Sequence, residues 1–378
     1  MTANRYKISR FWLYYFFIRV FYLFFTIFVF QRFTSLGDTH RYLSRNISFT
    51  LRIFFDSTTF MDFFAGAVGT LFRQDMILSN FPAMLISFFT VRWVVEKLSL
   101  RKYVNNFFLM IMISLPNFSV WTSVWTKELF GLVFSAIIAV LVINFLNGQY
   151  KIKKIDILGL YLCFLFNPQY LPFIVQGLIF IYIARNFMNH KPMKQVKLAV
   201  IFLIINILFL YLIRDTVNAY AAIMHRHFDT ATARATRDNI FIEDYDFFRH
   251  LPWGMFIAFF GPTLDEMMTN PAHAIAGLES LFIIILFFYL SKHVYIRGFF
   301  KSNVFPLVTI SYIIIFVGIC FIHYPFGVFN PGAAIRYRTR FIFLFTILLL
   351  YLYSYKDKYY LIGKKLCNHH RKRILMNA

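Results

Sequence analysis

The sequence has little charge and few acidic residues. Only 15% of its 378 residues are charged, against about 25% in soluble proteins. At the same time 59% are hydrophobic, and 52 residues are phenylalanines. A soluble core of this chain length could not bury so many aromatic side chains among so few polar ones. The composition therefore excludes an ordinary soluble domain and predicts a chain solvated largely by lipid.

Cysteine is scarce, and the common nucleotide and hydrolase motifs are missing. Three cysteines offer no external disulfide pair and no Cys/His zinc spacing. The absence of a Walker loop, a glycine-rich dinucleotide turn and a Gly-x-Ser-x-Gly elbow argues against an ATP-driven pump and a serine hydrolase. His225, His227 and Asp229 leave a divalent metal site as an alternative, but residues with this spacing in a polar loop usually bind no metal. We therefore expect no cofactor.

Long apolar runs, in contrast, are abundant. A membrane-spanning helix needs about 20 apolar residues. The sequence predicts an all-α polytopic membrane protein with about ten such segments in one domain, 1–355. The predicted segments are 11–30, 81–96, 103–120, 129–147, 156–167, 170–185, 198–213, 277–291, 304–323 and 341–355.

Some stretches of the sequence do not fit a simple row of spans. The runs at 156–167 and 170–185 are short, so we expect a tight hairpin that stops short of full membrane depth. Two long external loops, 31–80 and 214–276, contain semi-apolar stretches too short to span. These predict short helices that lie in the membrane interface.

Basic residues give the predicted orientation. With the N-terminus in the cytoplasm, the inner segments hold 23 Lys and Arg residues and the outer segments 14, and cytoplasmic loops normally have this excess. We therefore expect both termini in the cytoplasm, with 356–378 as a basic tail. The net charge of +22 then favours anionic membrane lipid as a partner, and no nucleic acid is expected.

One lysine departs from this distribution. Sixteen of the 17 lysines fall in inner segments, whereas Lys127 falls on the outer side, within 121–128. If a helix begins here, Lys127 and Glu128 lie in its first turn, where exposed backbone N–H groups attract an anion. A lysine is unfavourable at this end unless something negative binds there. The alternative is an interfacial Lys–Glu pair without function.

A second outer segment, 37–42, contains a candidate base. Gly37 permits a tight turn, and the carboxylate of Asp38 is placed to accept a proton from a substrate hydroxyl. The alternative is a simple helix N-cap at Asp38.

The third outer segment, 330–340, has arginines at three alternate positions, Arg336, Arg338 and Arg340. Such residues cannot share one helical face, so we expect an extended or turning stretch. Guanidinium groups bind phosphate oxygens bidentately, which favours a lipid-linked diphosphate as the ligand. The alternative is salt bridges to external acids, for which the candidates are Asp265, Glu266 and Glu279.

Two further arginines fall within predicted spans, where a charge needs a partner. Arg92 lies near the inner end of its span and is expected to reach the inner surface beside Glu96. Arg19 lies near mid-span, and it either pairs with an acid or lines a polar cavity.

The three outer segments together resemble the polytopic polymerases and sugar transferases of bacterial surface-polysaccharide gene clusters. The resemblance rests on Gly-Asp-x-x-x-Tyr at 37–42, the Trp- and Thr-rich turn that ends in Lys-Glu at 121–128, and Arg-x-Arg at 336–340. The stretch 251–280 is also similar to a segment of such proteins. These positions are scattered over most of the chain.

The resemblance implies a fold of the GT-C-like membrane glycosyltransferases and a reaction at the outer face of the bacterial inner membrane. The expected partners are polyprenyl-linked saccharide donor and acceptor, membrane lipid and other polysaccharide-assembly membrane proteins. The implied catalytic residues are Asp38 as the base, Lys127, and Glu128 to orient it. The implied lipid-phosphate-binding residues are Arg336, Arg338, Arg340 and Arg41, and the implied substrate-binding residues are Tyr42, Trp125 and Tyr337.

Three functions remain open at this point. One is a repeat-unit polymerase that joins undecaprenyl-linked units into O-antigen, capsule or exopolysaccharide, and another is a single-sugar transferase with a polyprenyl-phosphate sugar donor. The third is a transporter or flippase of lipid-linked glycan. A flippase should have charged residues along its spans, whereas here they concentrate at the outer rim, which favours an enzyme.

Overall fold

A computed structural model describes residues 9–45, 47–187, 191–228, 237–298 and 305–376. Within these ranges the regular elements are all helices. The α-helices in chain order are α1 (Arg10–Phe28), α2 (Thr39–Leu43), α3 (Ser57–Leu71), α4 (Met76–Lys97), α5 (Asn106–Ile113), α6 (Pro116–Trp121), α7 (Lys127–Leu146), α8 (Lys154–Phe166), α9 (Leu171–Phe187), α10 (Pro192–Leu212), α11 (Arg214–Phe228), α12 (Asp246–Arg249), α13 (Leu251–Phe260), α14 (Leu264–Thr269), α15 (Pro271–Gly298), α16 (Phe305–Gly327) and α17 (Pro331–Met376).

Seven helical segments in the described ranges are long and apolar enough to cross a membrane. They are Arg10–Arg32, Met76–Lys97, Lys127–Leu146, Pro168–Phe187, Pro192–Leu212, Pro271–Tyr289 and Pro306–Gly327. The prediction of a multi-pass helical membrane protein is therefore confirmed, although this number is smaller than the ten or so spans expected.

The run predicted to span at 103–120 is not one helix. It forms α5 and α6, which are only 8 and 6 residues long. The break falls at Ser114 and Leu115, because Pro116 has no backbone N–H to continue the hydrogen bonds of α5 and instead begins α6.

The predicted hairpin is present. α8 has 13 residues, and a short 3-10 turn at Pro168–Tyr170 connects it to α9. The Tyr150 hydroxyl, just before α8, donates to Asn186 Oδ1 at 3.3 Å, and Arg185 donates to the carbonyl of Leu146. The two helices therefore leave and return on the same side of the protein.

The centre of the protein is formed by α7 and α17. In α7, 83% of the spanning window is buried, and every residue of α17 from 338 to 352 is buried. Gly131 allows the two helices to approach closely, because a Cβ there would lie 2.6 Å from Cγ of Arg340. At the periphery only 11% of the α10 window is buried, which leaves this helix to face lipid.

The arginines within the first two spans have different surroundings. Arg92 is exposed, and its guanidinium carbon lies 6.0 Å from the ring centroid of Trp12, whose indole donates to Glu96 at 2.6 Å. Arg19 is fully buried and donates to Ser87 Oγ at 2.7 Å and Thr122 Oγ1 at 3.0 Å. Hydroxyl groups, rather than an acid, are therefore its hydrogen-bond partners.

The two long segments predicted to be external and the C-terminal tail are also partly helical. The segment 31–80 contains α2 and α3, and 214–276 contains α11 to α14. The backbone of α17 continues as a helix to Met376, so the segment predicted as a basic tail, 356–378, begins as an extension of the last helix. Its side chains lie outside the described part of the structure.

Candidate functional site

The arginine segment is helical, which corrects the prediction that 330–340 is extended or turning. The side chain of Asn330 accepts a hydrogen bond from the backbone N–H of Ala333 at 2.9 Å, and Pro331 begins α17, an arrangement that favours a helix start. In a helix, residues four apart share a face, whereas residues two apart do not. Arg336 and Arg340 therefore lie on one face of α17, and Arg338 points elsewhere.

Glu128 joins Arg336 and Arg340. Its carboxylate is fully buried, and its Oε1 accepts from Arg340 Nη2 at 2.9 Å and lies 3.1 Å from Arg336 Nε. The other oxygen, Oε2, has no hydrogen-bond partner among the described residues. Glu128 lies in the first turn of α7, where the helix dipole stabilises a negative charge.

Lys127, next to Glu128 in sequence, is partly buried and points toward α3. Its ammonium donates to Ser57 Oγ at 3.0 Å and to Thr58 Oγ1 at 2.9 Å. No hydrogen bond from Lys127 to Glu128 is found among the described residues, so the implied role of Glu128 in orienting Lys127 stays a prediction. Two hydroxyl groups of α3 hold the lysine, and the carboxylate instead holds the two arginines.

The Gly-Asp segment reaches the same cluster. Gly37 has a φ of +59°, a conformation that favours glycine. A side chain there would collide with the guanidinium of Arg336, so this arginine lies directly against the Gly37 backbone and beside Asp38. Asp38 is the N-cap residue of the short helix α2, as the N-cap alternative expects, but its side chain makes no capping hydrogen bond.

Tyr42 and Arg41 surround Asp38. The Tyr42 hydroxyl donates to Asp38 Oδ2 at 3.2 Å, and Arg41 Nε lies 3.6 Å from Oδ1. Burial of the ring and the neighbouring Asp38 carboxylate raise the pKa of the Tyr42 phenol, which keeps it a hydrogen-bond donor. The Asp38 side chain is 46% exposed, so it remains accessible at the mouth of the cluster.

Two aromatic rings and one amide complete the surroundings. The guanidinium carbon of Arg336 lies 5.3 Å from the ring centroid of Trp121, and that of Arg340 lies 4.8 Å from the ring of Tyr337. Arg340 Nη1 donates to Asn167 Oδ1 at 3.0 Å, at the turn of the α8–α9 hairpin. The sequence gives no signal for a site role of Asn167, Ser57 or Thr58, because only folding brings these polar residues to the cluster.

Arg338 does not belong to this cluster, although it was expected to bind lipid phosphate with its neighbours. It is fully buried, and its Nη2 lies 3.6 Å from Glu279 Oε1. It also donates to the backbone carbonyls of Phe259 at 3.1 Å and Ala276 at 2.8 Å. Arg338 therefore fastens α13 and α15 to α17, and the salt bridge to Glu279, one of the alternatives considered for it, is the one formed.

Trp125, which is implied to bind substrate, is buried against α4. It is only 4% exposed, and its indole N–H donates to the carbonyl of Ser79 at 2.7 Å. Asn80 accepts a hydrogen bond from the Trp125 backbone N–H at 2.9 Å. These contacts fix the turn before α7 against the outer end of α4.

The site cluster, defined as Asp38, Arg41, Tyr42, Lys127, Glu128, Arg336 and Arg340, has more positive than negative charge. It contains four cationic side chains and two carboxylates. Such an arrangement favours a ligand with about two negative charges, such as a phosphate or diphosphate. Within the described ranges no group of three metal-ligating side chains occurs, and the side chains of His225, His227 and Asp229 lie outside them.

The chain was compared with protein families, with curated proteins and with solved structures. No protein-family model matches it, and neither the curated proteins nor the solved structures give a match.

Proposed function

We propose that this protein is a membrane-embedded glycosyltransferase that joins undecaprenyl-linked glycan units at the outer face of the bacterial inner membrane. The product would be O-antigen, capsule or exopolysaccharide. The observation that carries the proposal is the convergence of Lys127, Arg336 and Arg340 with an accessible carboxylate, Asp38. An excess of positive charge beside a carboxylate that is 46% exposed fits a phosphate leaving group next to an acceptor hydroxyl.

The proposed reaction forms one bond and breaks one. The acceptor hydroxyl oxygen attacks the anomeric carbon of the donor sugar, and its proton passes to the carboxylate of Asp38. The bond from the anomeric carbon to the phosphate oxygen breaks, and its electron pair stays on that oxygen. Arg336, Arg340 and Lys127 stabilise the negative charge that develops there, while Arg41 and Tyr42 hold Asp38.

Glu128 has a positioning role in this scheme. It pairs with both arginines and is fully buried, so it holds their guanidinium groups in place. Because one carboxylate cannot neutralise two guanidinium groups, each arginine retains charge for a phosphate. Tyr337, whose ring lies beside Arg340, would contact the substrate.

A single-sugar transferase with a polyprenyl-phosphate sugar donor is the second candidate. The accessible position of Asp38 favours it, because such enzymes place an acid in the first external loop. A flippase is less favoured, because the buried arginines Arg19 and Arg338 are hydrogen-bonded to hydroxyl groups and backbone carbonyls and Arg340 is paired with Glu128.

The proposed topology has the N-terminus and the C-terminal tail in the cytoplasm. In it, α5 with α6 crosses the membrane as one broken segment, α8 with α9 forms the hairpin, and α17 crosses last. This adds up to about ten membrane segments of a GT-C-like arrangement. Other polysaccharide-assembly membrane proteins would be its partners.

The function is tested by deleting the gene and analysing the cell's lipid-linked glycans on a gel. A product limited to a single repeat unit indicates a polymerase, whereas a chain that lacks one sugar indicates a single-sugar transferase. Full-length glycan in the deletion strain would refute both. Complementation with Asp38→Ala or Arg336→Ala should fail although the protein is inserted, whereas Arg52→Ala, an exposed arginine of the same external segment, should restore the glycan.

The orientation is tested separately with an impermeant thiol reagent on a cysteine-free variant. We expect His40→Cys, at an exposed position beside Asp38, to react in cells with a permeable outer membrane. Lys151→Cys, exposed before α8, should react only after lysis. The reverse pattern would place the site cluster in the cytoplasm and exclude the proposed reaction.

A further inference from the structure

A furrow runs along α1 on the lipid-facing surface. Its outer part, about 700 Å³, lies between α1, the break between α5 and α6, and α15. Its inner part, also about 700 Å³, lies between α1 and α5. The two parts share four lining residues, Ile18, Phe21, Phe107 and Met110, and therefore form one continuous channel open to lipid.

The broken segment explains why this furrow exists. α5 and α6 are short and change direction at Ser114 and Leu115, so no straight helix fills the space between α1 and α15. The furrow extends along α1 from Phe11 to Phe25. At 1.5 Å per helical residue this is about 21 Å, or roughly two-thirds of the hydrocarbon thickness of a bilayer.

The outer end of the furrow leads to the site cluster. Its residues Tyr22, Phe25 and Ile275 pack against a buried cluster that contains Trp121. Trp121 also contacts Arg336, whose guanidinium carbon lies 5.3 Å from the centroid of the Trp121 ring. Trp121 therefore belongs both to the buried cluster at the outer end of the furrow and to the surroundings of Arg336.

The chemistry of the lining excludes a charged headgroup from the furrow itself. The lining is almost entirely apolar and contains no Lys, Arg or His residue, so it offers no positive charge to a phosphate. Its one acidic residue, Glu279, already accepts from the backbone N–H groups of Asn117 at 2.7 Å and Phe118 at 3.2 Å. A lipid phosphate must therefore lie outside the furrow. The nearby side chains with excess positive charge are those around Arg336.

We propose that this furrow holds the hydrocarbon chain of an isoprenoid phosphate whose phosphate is bound by Arg336, Arg340 and Lys127. The inference rests on the proposed function and names the path of the lipid carrier. The furrow is a single channel that suits one long chain, whereas a glycerophospholipid has two. Aromatic walls at Phe21, Phe107 and Phe282 contact the methyl branches of such a chain.

The test fills the furrow without touching the site cluster. Leu278→Trp and Ile111→Trp add a ring from opposite walls, and both residues face lipid with 62% and 37% exposure, so the fold should tolerate them. Leu203→Trp on α10, with 57% exposure, is the matched control. The purified full-length protein in nanodiscs is titrated with undecaprenyl phosphate, with short-chain geranyl phosphate and with phosphatidylglycerol.

The furrow variants should bind undecaprenyl phosphate at least tenfold more weakly and geranyl phosphate as the unaltered protein does, with Leu203→Trp unchanged. Arg336→Ala should weaken both isoprenoid phosphates. Unchanged affinity for undecaprenyl phosphate in both furrow variants would overturn the proposal that the furrow holds the hydrocarbon chain. It would not affect the proposed phosphate site. Equal competition by phosphatidylglycerol would overturn the isoprenoid assignment. Failure of the unaltered protein to bind either isoprenoid phosphate would overturn the proposed function itself.

Discussion

The arginines of α17 lie on two different faces of the same two turns, and the two faces differ in how the arginine charges are used. On one face, Arg336 and Arg340 share the single carboxylate of Glu128, and the cluster opens at Asp38. On the other, Arg338 is enclosed, with one carboxylate, Glu279, and several backbone carbonyls as partners.

The difference teaches how identical residue types acquire different roles. A buried guanidinium that meets carbonyls from two helices links those helices, because leaving it or its partners unpaired is costly. Two guanidinium groups that share one acid keep unused positive charge, and this favours an external anion. The number of protein acceptors available to each arginine, rather than its position in the Arg-x-Arg pattern, separates a structural arginine from a candidate ligand-binding one.

The largest expected effect is on the enclosed face. Arg338→Ala leaves the buried carboxylate of Glu279 without its cation and should lower the free energy of unfolding by about 3–5 kcal/mol. The measurement is thermal unfolding of the detergent-solubilised protein. In the double variant with Glu279→Gln, part of the loss should be recovered, since no uncompensated charge remains. Equal stability of Arg338→Ala and the unaltered protein would remove the distinction between the two faces.

On the open face, we expect a loss of binding with little loss of stability. Arg336→Ala removes one charged donor but leaves Glu128 paired with Arg340 at 2.9 Å. The dissociation constant for geranyl phosphate should rise about tenfold, which corresponds to about 1.4 kcal/mol. Isothermal titration compares it with Arg336→Lys, which should lie between. Undiminished binding in Arg336→Ala would contradict the assignment of the open face as an anion site.

A smaller effect is expected at Lys127. Lys127→Met removes a charge held by two hydroxyl groups and should weaken geranyl phosphate binding about fivefold, with a weaker dependence on salt because one cation fewer contacts the ligand. Thr58→Ala removes only one of the hydrogen bonds that position the ammonium, so its effect should be smaller still. If Thr58→Ala had the larger effect, the role of Lys127 would be to fasten α3 rather than to bind phosphate.

The smallest effect concerns the contacts of Arg237 with Glu266, Gly327 and Val328 just before α17, which we call the strap. Arg237 donates to Glu266 at 2.6 and 2.8 Å and to the carbonyls of Gly327 and Val328. Burial alone would raise the pKa of Glu266, but hydrogen bonds from Arg237 and from the Thr263 backbone outweigh it and lower the pKa below its ordinary value. This contribution to stability is therefore complete above the ordinary carboxyl pKa and is lost as the pH falls through the lower pKa of the folded protein.

Glu266→Gln tests this strap. It should lower the free energy of unfolding by about 0.5 kcal/mol at neutral pH and remove part of the acid-dependent destabilisation. His273 is the neighbouring titratable group, so His273→Gln serves as the control for the remaining pH dependence. The strap holds the segment just before α17, so its loss should affect both arginine faces of α17 equally. Loss of anion binding without loss of stability would instead place Glu266 in the site.

Much of the fold was predictable from the sequence because its physical cause is local. Apolar runs of about 20 residues can form stable structure in lipid only as helices, and the hairpin at 156–185 followed from two short runs around Asn167 and Pro168. The break within 103–120 was missed, since hydropathy measures the composition of a segment and not its backbone path. The signal that could have revealed it is Pro116, which ends one helix and begins another.

The sequence by itself determined the class of protein, a multi-pass helical membrane protein, and most of its long apolar helices, and it predicted the three segments that carry the candidate side chains. Only the tertiary structure decided that Arg336 lies against Gly37 beside Asp38, that Glu128 pairs with Arg336 and Arg340, and that Arg338 pairs with Glu279. The physical reason is that hydrophobicity and charge act along the chain, whereas the partners of a buried charge come from distant segments. Lys127, predicted to lie on the side of the membrane that the other lysines avoid, acquires its neighbours Ser57 and Thr58 only through packing of α3 against α7.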